Sequence, residues 1–317
     1  MSVNRRVCII TINYNQNDYT LKCIESVLKS DFPGFLLFLI DNGSSEANFS
    51  RLKKSLPTDK RIILERLEKN RGYVGGVNFG LKTSGKLKPD YYIIMNNDTI
   101  IDSLAISELV RVADKFDQKA IISGKVYHLD NKDIIQNTGM IFTDKNYLKG
   151  YSPGKNEKDI GQCDQLEERD SLDDILWLLP AKIVDDIGYY CEYYFMYAEQ
   201  GDYAQTARRK GYKLIYTPDA KIWHKGSLTS GGGNKQALPV CYWRAKSSFV
   251  FSFRNLKFRY FFIRNVTLFI KLLLKIMFFK GEEKKCAIAK FRGLMAGIRW
   301  FFHQKPDNGY NPYVKSV

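Results

Sequence analysis

Apolar residues in the first hundred positions fall in short, dense runs, and each run leads into a cluster of amides, carboxylates, hydroxyls or glycines. Residues 7–12, 35–40, 61–64 and 91–95 read as strands of β-forming residues. Their polar sequels are Asn13-Tyr14-Asn15-Gln16-Asn17-Asp18, Asp41-Asn42-Gly43-Ser44-Ser45, the glycine-rich run 70–80, and Asn96-Asn97-Asp98-Thr99. Residues 19–29 have helical spacing, with Leu21, Ile24, Val27 and Leu28 on one side. Strand–helix alternation at this spacing predicts a doubly wound, mainly parallel α/β sheet. Its polar turns would share one edge, the edge at which such sheets bind ligands.

Beyond residue 100 the pattern loosens. Residues 120–175 carry charged stretches such as 155–168 and read as an extension of the sheet with a mobile loop. An apolar start at Trp177 leads through Gly188 to an aromatic run, 189–197; residues 199–210 look helical and 213–216 form a strand. Ser230-Gly231-Gly232-Gly233-Asn234 reads as a flexible break. The expected division is an α/β domain over 1–230 and a helical C-terminal region over 231–317.

Charge changes the picture of that last region. The chain of 317 residues carries a net +15, and residues 241–317 hold sixteen Lys and Arg against three Asp and Glu. Such polarity implies an anionic partner, either membrane headgroups or nucleic acid. Lys257, Arg264, Lys271 and Lys275 fall in a stripe on a helix, with Phe262, Val266, Phe269, Leu273 and Ile276 opposite. That pattern fits a helix lying in a membrane interface, or one packed on the first domain, or a homodimer contact. Six cysteines are scattered with no zinc-like spacing, which fits a reducing cytoplasm. No h-region opens the chain and no stretch has the length of a spanning helix, so neither export nor a membrane crossing is expected.

Asp98, following a buried strand and flanked by Asn and Thr, suits a divalent ion shared with phosphate oxygens; an Asx turn capping the next helix is the alternative. Asp41 can take hydrogen bonds from a base or ribose, or simply close a tight turn. The run 70–80 lacks both the Walker A lysine and the GxGxxG spacing.

In order, the chain presents Thr11-Ile12-Asn13-Tyr14-Asn15, Asp41-Asn42-Gly43-Ser44, Asn70-Arg71-Gly72-Tyr73, Gly75-Gly76-Val77-Asn78-Phe79-Gly80 and Asn96-Asn97-Asp98-Thr99. Tyr197-Ala198-Glu199-Gln200-Gly201-Asp202 and His224-Lys225-Gly226-Ser227 follow. Over about residues 5–230 this resembles a family 2 glycosyltransferase of GT-A fold, similar to bacterial rhamnosyltransferase-like enzymes. The resemblance implies an inverting transfer of sugar from a dTDP- or UDP-linked donor to a hydroxyl of a glycan or lipid-linked acceptor. The product would be a cell-surface glycan precursor such as O-antigen or capsule, made in the cytoplasm or peripherally on the inner face of its membrane. It implies Thr11, Asn13, Asp41, Arg71, Gly72, Asn78, Asn96 and Asn97 around the nucleotide sugar, and Asp98 with His224 at a Mn2+ or Mg2+ ion. It leaves nucleic acid out as a partner. The chief departure is Gln200, where relatives carry the acid that deprotonates the acceptor. Glu199 is then the first candidate base and Asp202 the second, although Asp202 also fits as an acid favoured by a helix N-terminus. A catalytically silent nucleotide-sugar- or glycan-binding homologue is the alternative reading.

Overall fold

The alternation expected for the first hundred residues forms four adjacent strands of a ten-stranded sheet. A computed structural model describes residues 5–226 and 237–314; the expected break at 230–234 and Ser227 lie outside the described residues. Strands β1 (Val7–Asn13), β2 (Phe35–Asn42), β3 (Ile62–Leu67) and β4 (Tyr91–Met95) alternate with helices α1 (Asn17–Leu28), α2 (Glu46–Ser55) and α3 (Gly72–Gly85). β1 pairs in parallel with β2 and β4, and β2 with β3. Ile9 and Ile10 show why β1 is apolar throughout: successive residues point to opposite faces, and both faces are covered by core.

Next come β5 (Thr99–Ile101), α4 (Ala105–Lys115), β6 (Ala120–His128) and β7 (Ile135–Asn137). A hairpin of β8 (Ile141–Asp144) and β9 (Lys149–Tyr151) stands apart from the main sheet. Then follow β10 (Glu167–Glu168), β11 (Leu176–Pro180), α5 (Ala181–Ile187), α6 (Glu199–Arg209) and β12 (Lys213–His224). The order is β10-β12-β6-β11-β4-β1-β2-β3, with β5 paired to β12 and β7 to β6. β11 runs antiparallel to both neighbours, so the sheet is mixed but mainly parallel.

Two expectations change, and the sheet extension expected over 120–175 takes shape. The glycine-rich run is not a turn at the sheet edge throughout: from Gly72 it is the start of α3, packed on β1. A Cβ on Gly80 would stand 2.5 Å from Ile10 Cγ2, so its glycine serves helix-to-strand approach. The irregular middle contains β6, a nine-residue strand inside the sheet, disguised by Ser123, Gly124 and Lys125. Lys125 is buried there, with Asp159 and Asp164 as partners. Finally, β12 runs to His224, well past the expected end at Tyr216, because a register shift between Tyr216 and Lys221 absorbs Pro218.

The tail folds as α7 (Leu238–Asn255), α8 (Phe258–Phe278) and α9 (Gly281–His303). The cysteines are not all unpaired: Cys241 of α7 and Cys286 of α9 form a disulfide, their Cα atoms 6.0 Å apart. The expected stripe on α8 also divides differently. Arg264 leaves the basic row and donates to Ser248 O on α7 at 2.9 Å. Phe269 and Ile276 pack against core, whereas Phe262, Val266 and Leu273 are exposed.

Candidate active site

The polar groups foreseen at the sheet edge are delivered by strand ends. β1 and β2 finish in register, Asn13 beside Asp41. The buried Asp41 carboxylate accepts from Asn13 Nδ2 at 2.9 Å and from Ser44 N at 3.0 Å. Asn13 Oδ1 accepts from Thr20 Oγ1 at 2.9 Å, and Thr20 Oγ1 accepts from Asn97 Nδ2 at 2.8 Å. Asn13, Asp41 and Asn97 thus form one hydrogen-bonded layer, while Thr11 is buried in β1.

Arg71 is exposed at the N-cap of α3, where a helix end favours anions. The turn there needs glycine. Gly72 has φ +71°, and a Cβ on it would meet Phe195 O at 2.2 Å. Asn42 fixes that turn, accepting from Arg71 N at 3.0 Å and donating to Gly72 O at 2.9 Å. The amide of Asn78 is committed to main chain, donating to Tyr190 O at 2.9 Å and accepting from Tyr190 N at 3.0 Å.

Asp98 and His224, distant in sequence, meet because β5 pairs antiparallel with β12 and sets Thr99 opposite His224. His224 Nε2 lies 3.1 Å from Asp98 Oδ1. The ring's Nδ1–H donates to Gln136 Oε1 at 2.6 Å, and Gln136 Nε2 donates back to His224 O at 3.2 Å. With Nδ1 protonated, Nε2 keeps its lone pair, which faces Asp98 and Asn96 Nδ2, the latter 3.2 Å away; a metal ion there would take the place of the Asn96 contact. A carboxylate oxygen and an imidazole lone pair of fixed tautomer fit a divalent ion as a two-ligand set. Among the described residues no cluster of three His, Cys, Asp or Glu forms a metal site.

A second cluster is acidic. Tyr197 and Ala198 both hold left-handed φ values, +69° and +67°, immediately before Glu199. Two such non-glycine residues are strained backbone of the kind that gathers at working sites. Glu199 is 5% exposed and its Oε2 finds no hydrogen-bond partner among the described residues. Burial, with the charge of Asp174 second, pushes its pKa up to about 8. Burial likewise raises Asp174 to about 7, against a hydrogen bond from Tyr190 Oη at 3.0 Å. Asp173 accepts from Asn137 Nδ2 and, at 3.5 Å, from Gln200 Nε2. The two clusters are neighbours: burial, then Asp174, Glu199 and Asp98 among others, raise the pKa of one phenol, Tyr73. Asp202 is directed elsewhere. It accepts from Arg254 Nε at 2.9 Å and Asn255 Nδ2 at 2.6 Å, tying α6 to α7.

A family model described as glycosyl transferase family 2 matches residues 8–176, just over half of the chain. The chain belongs to that family. Glycosyltransferase GlyG of Streptococcus pneumoniae serotype 4 is 24% identical over 127 residues, covering 40% of this chain and 41% of that protein. The chain thus spans about two fifths of the length of that curated relative. Mannosyltransferase PcManGT from Pyrobaculum calidifontis, solved with GDP-Man and Mn2+, superposes with TM-score 0.54 at 12% identity, covering 96% of this chain and 89% of that one. GalNAc-T7, solved with UDP, GalNAc and Mn2+, gives TM-score 0.58 at 12% identity over 95% and 57%. At such identities these two structures speak to the GT-A fold of this family 2 chain.

Sequence reasoning missed Gln136, Asn137, Asp173 and Asp174. An adjacent acid pair just before the apolar run 175–180 was the one visible signal.

Proposed function

We propose that this family 2 protein is an inverting glycosyltransferase that uses a nucleoside-diphosphate sugar and a glycan or lipid-linked acceptor. The observation that supports it most is the β5–β12 pairing, which sets Asp98, Asn96 and a tautomer-fixed His224 beside a second cluster containing Glu199. In this reading Glu199 removes the acceptor proton as the hydroxyl oxygen bonds to the anomeric carbon. The bond from that carbon to diphosphate breaks on the opposite side, and its electron pair leaves with the nucleoside diphosphate.

Asp98 and His224 would hold Mn2+ or Mg2+, which when bound supplies charge neutralisation for the leaving group. Both solved neighbours carry Mn2+, which supports that assignment. Asp41, Asn13 and Arg71 would receive the nucleotide, a thymidine or uridine diphosphate of the rhamnosyltransferase-like type. Asp202 serves structure in this reading, since its carboxylate is held by Arg254 and Asn255. Gln200 alone does not argue for a silent protein, because its amide lies against the Asp173 carboxylate and acid remains at that place. We place the 1–230 region as the catalytic domain and the reaction in the cytoplasm, in the making of a bacterial cell-surface glycan. Four free cysteines fit that compartment, and the Cys241–Cys286 bond would there face reduction.

A panel of thymidine, uridine and guanosine diphosphate sugars, with and without Mn2+, tests this. Metal-dependent release of one nucleoside diphosphate is expected. Metal-dependent binding without release from any donor, with lipid-linked acceptors supplied, would replace the transferase with a silent binding protein.

A further inference from the structure

α8 is anchored along one edge only. Phe261 and Leu272 are its buried residues, and Arg264 and Asn265 hydrogen-bond to Ser248 and Ser252 of α7. Over the rest of its length Phe258, Phe262, Val266, Ile270, Leu274 and Met277 are exposed, each about one turn from the next. Phe258 at one end is 73% exposed and Met277 at the other 69%. Folded chains rarely leave so much contiguous apolar surface in water unless it meets something. An apolar cleft of about 270 Å3 between α8 and α9 has the exposed Phe262, Val266 and Phe302 on its wall.

Charge selects the occupant. Exposed Lys257, Lys271, Lys275, Lys280 and Lys284 flank this surface, and among the described residues none of them forms an ion pair. A second copy would bring a second basic face against the first. An anionic bilayer offers hydrocarbon to the phenylalanines and negative headgroups to the lysines. No described helix is long and apolar enough to cross a membrane, so the helix lies along the surface.

We propose that α8 is a membrane-docking helix that lies in the interface of an anionic bilayer. The docking does not depend on the transferase reading. It would hold α7 at the lipid surface, and α7 in turn carries Arg254 and Asn255, the partners of Asp202 on the helix that begins with Glu199.

The test is co-sedimentation of the full chain, without nucleotide, with vesicles of phosphatidylcholine alone or with about a third phosphatidylglycerol. Binding to the anionic vesicles only is expected, weakening as salt rises. The triple variant Lys271→Gln, Lys275→Gln, Lys280→Gln should bind at least about tenfold more weakly. The pair Phe262→Ser, Met277→Ser should lose binding similarly, with an unfolding temperature lowered by no more than a few degrees because both side chains are more than half exposed. Equal binding to neutral vesicles, or no binding to either, overturns the proposal. A concentration-dependent dimer in sedimentation, abolished by Phe262→Ser and Met277→Ser, would instead assign the face to a second copy of this chain.

Discussion

Exchanging Glu199 for Gln and Asp202 for Asn should separate chemistry from structure in two neighbouring acids of α6. Glu199 carries a pKa of about 8 against an ordinary 4.5, chiefly through burial. At pH 7 the folded protein therefore holds it mostly protonated, a state that costs on the order of 3 kcal/mol relative to the ionised group in the unfolded chain. Glu199→Gln removes that cost but leaves a buried amide N–H to satisfy, worth roughly 1–3 kcal/mol. The two nearly cancel, and the unfolding temperature should move by less than about 4 °C. Transfer should fall by about 10²–10⁴, the usual contribution of a general base. Asp202 behaves oppositely. Its carboxylate is 3% exposed and Arg254 29%, so losing it strands a half-buried guanidinium. Removing one partner of a fully buried pair costs about 3–5 kcal/mol; with Arg254 partly solvated, about 2–3 is expected. That corresponds to a fall of about 5–10 °C, while transfer below the transition stays within a few-fold. Nucleoside diphosphate release and thermal unfolding, measured on both variants, decide it. An Asp202→Asn protein that is folded but dead, beside an active Glu199→Gln, would refute the assignment.

Three further outcomes follow from the geometry. Transfer should rise with pH through about 8, because the base must be ionised; stability should drift down between about pH 5 and 8, since the fold retains protons that the unfolded chain releases, and Glu199→Gln should flatten the first trend and lessen the second, Asp174 carrying the remainder. Gln136→Leu frees the His224 tautomer and should weaken Mn2+ binding about 10–100-fold by titration calorimetry, and unchanged affinity would remove Gln136 from the site. Gly72→Ala forces a Cβ to 2.2 Å from Phe195 O at a left-handed position and should destabilise by more than about 1 kcal/mol, read by denaturant unfolding.

The half of the fold that is legible in the sequence is the half in which both faces of each strand are covered by core. β1, β2 and β4 are apolar runs with polar stops, so their ends and the residues Asn13, Asp41 and Asp98 stand out. β6 is equally central but contains a buried lysine whose partners lie 34 and 39 residues further on, and local patterning cannot anticipate such a pair. Asp98 is visible as a strand-end acid. That His224 reaches it depends on the three-residue β5 and on a register shift in β12, neither of which leaves a periodic trace. Asp202 fits a helix-start acid as expected, but it also accepts from Arg254, 52 residues further on, which no local pattern announces.

The short strand β7 shows how the two clusters are kept in relation. Gln136 orients His224, and the next residue, Asn137, donates to Asp173, which also meets Gln200 at the start of α6. Adjacent Cα atoms are fixed about 3.8 Å apart, so one segment sets both contacts. β7 is itself hydrogen-bonded to β6, where Val126 faces Asn137, and β6 pairs along its length with β12, which carries His224. Reacting groups that must face each other across one sugar gain most from such shared support, because a displacement of about 1 Å can cost about 10²-fold in rate. The acid cluster and the Asp98–His224 pair are therefore linked through β7, although Asp98, Asp173 and Asp174 themselves sit in turns beside the strands. Gln200 fits this arrangement: as an amide it can donate to Asp173, whereas a carboxylate at 200 would place a second negative charge against Asp173.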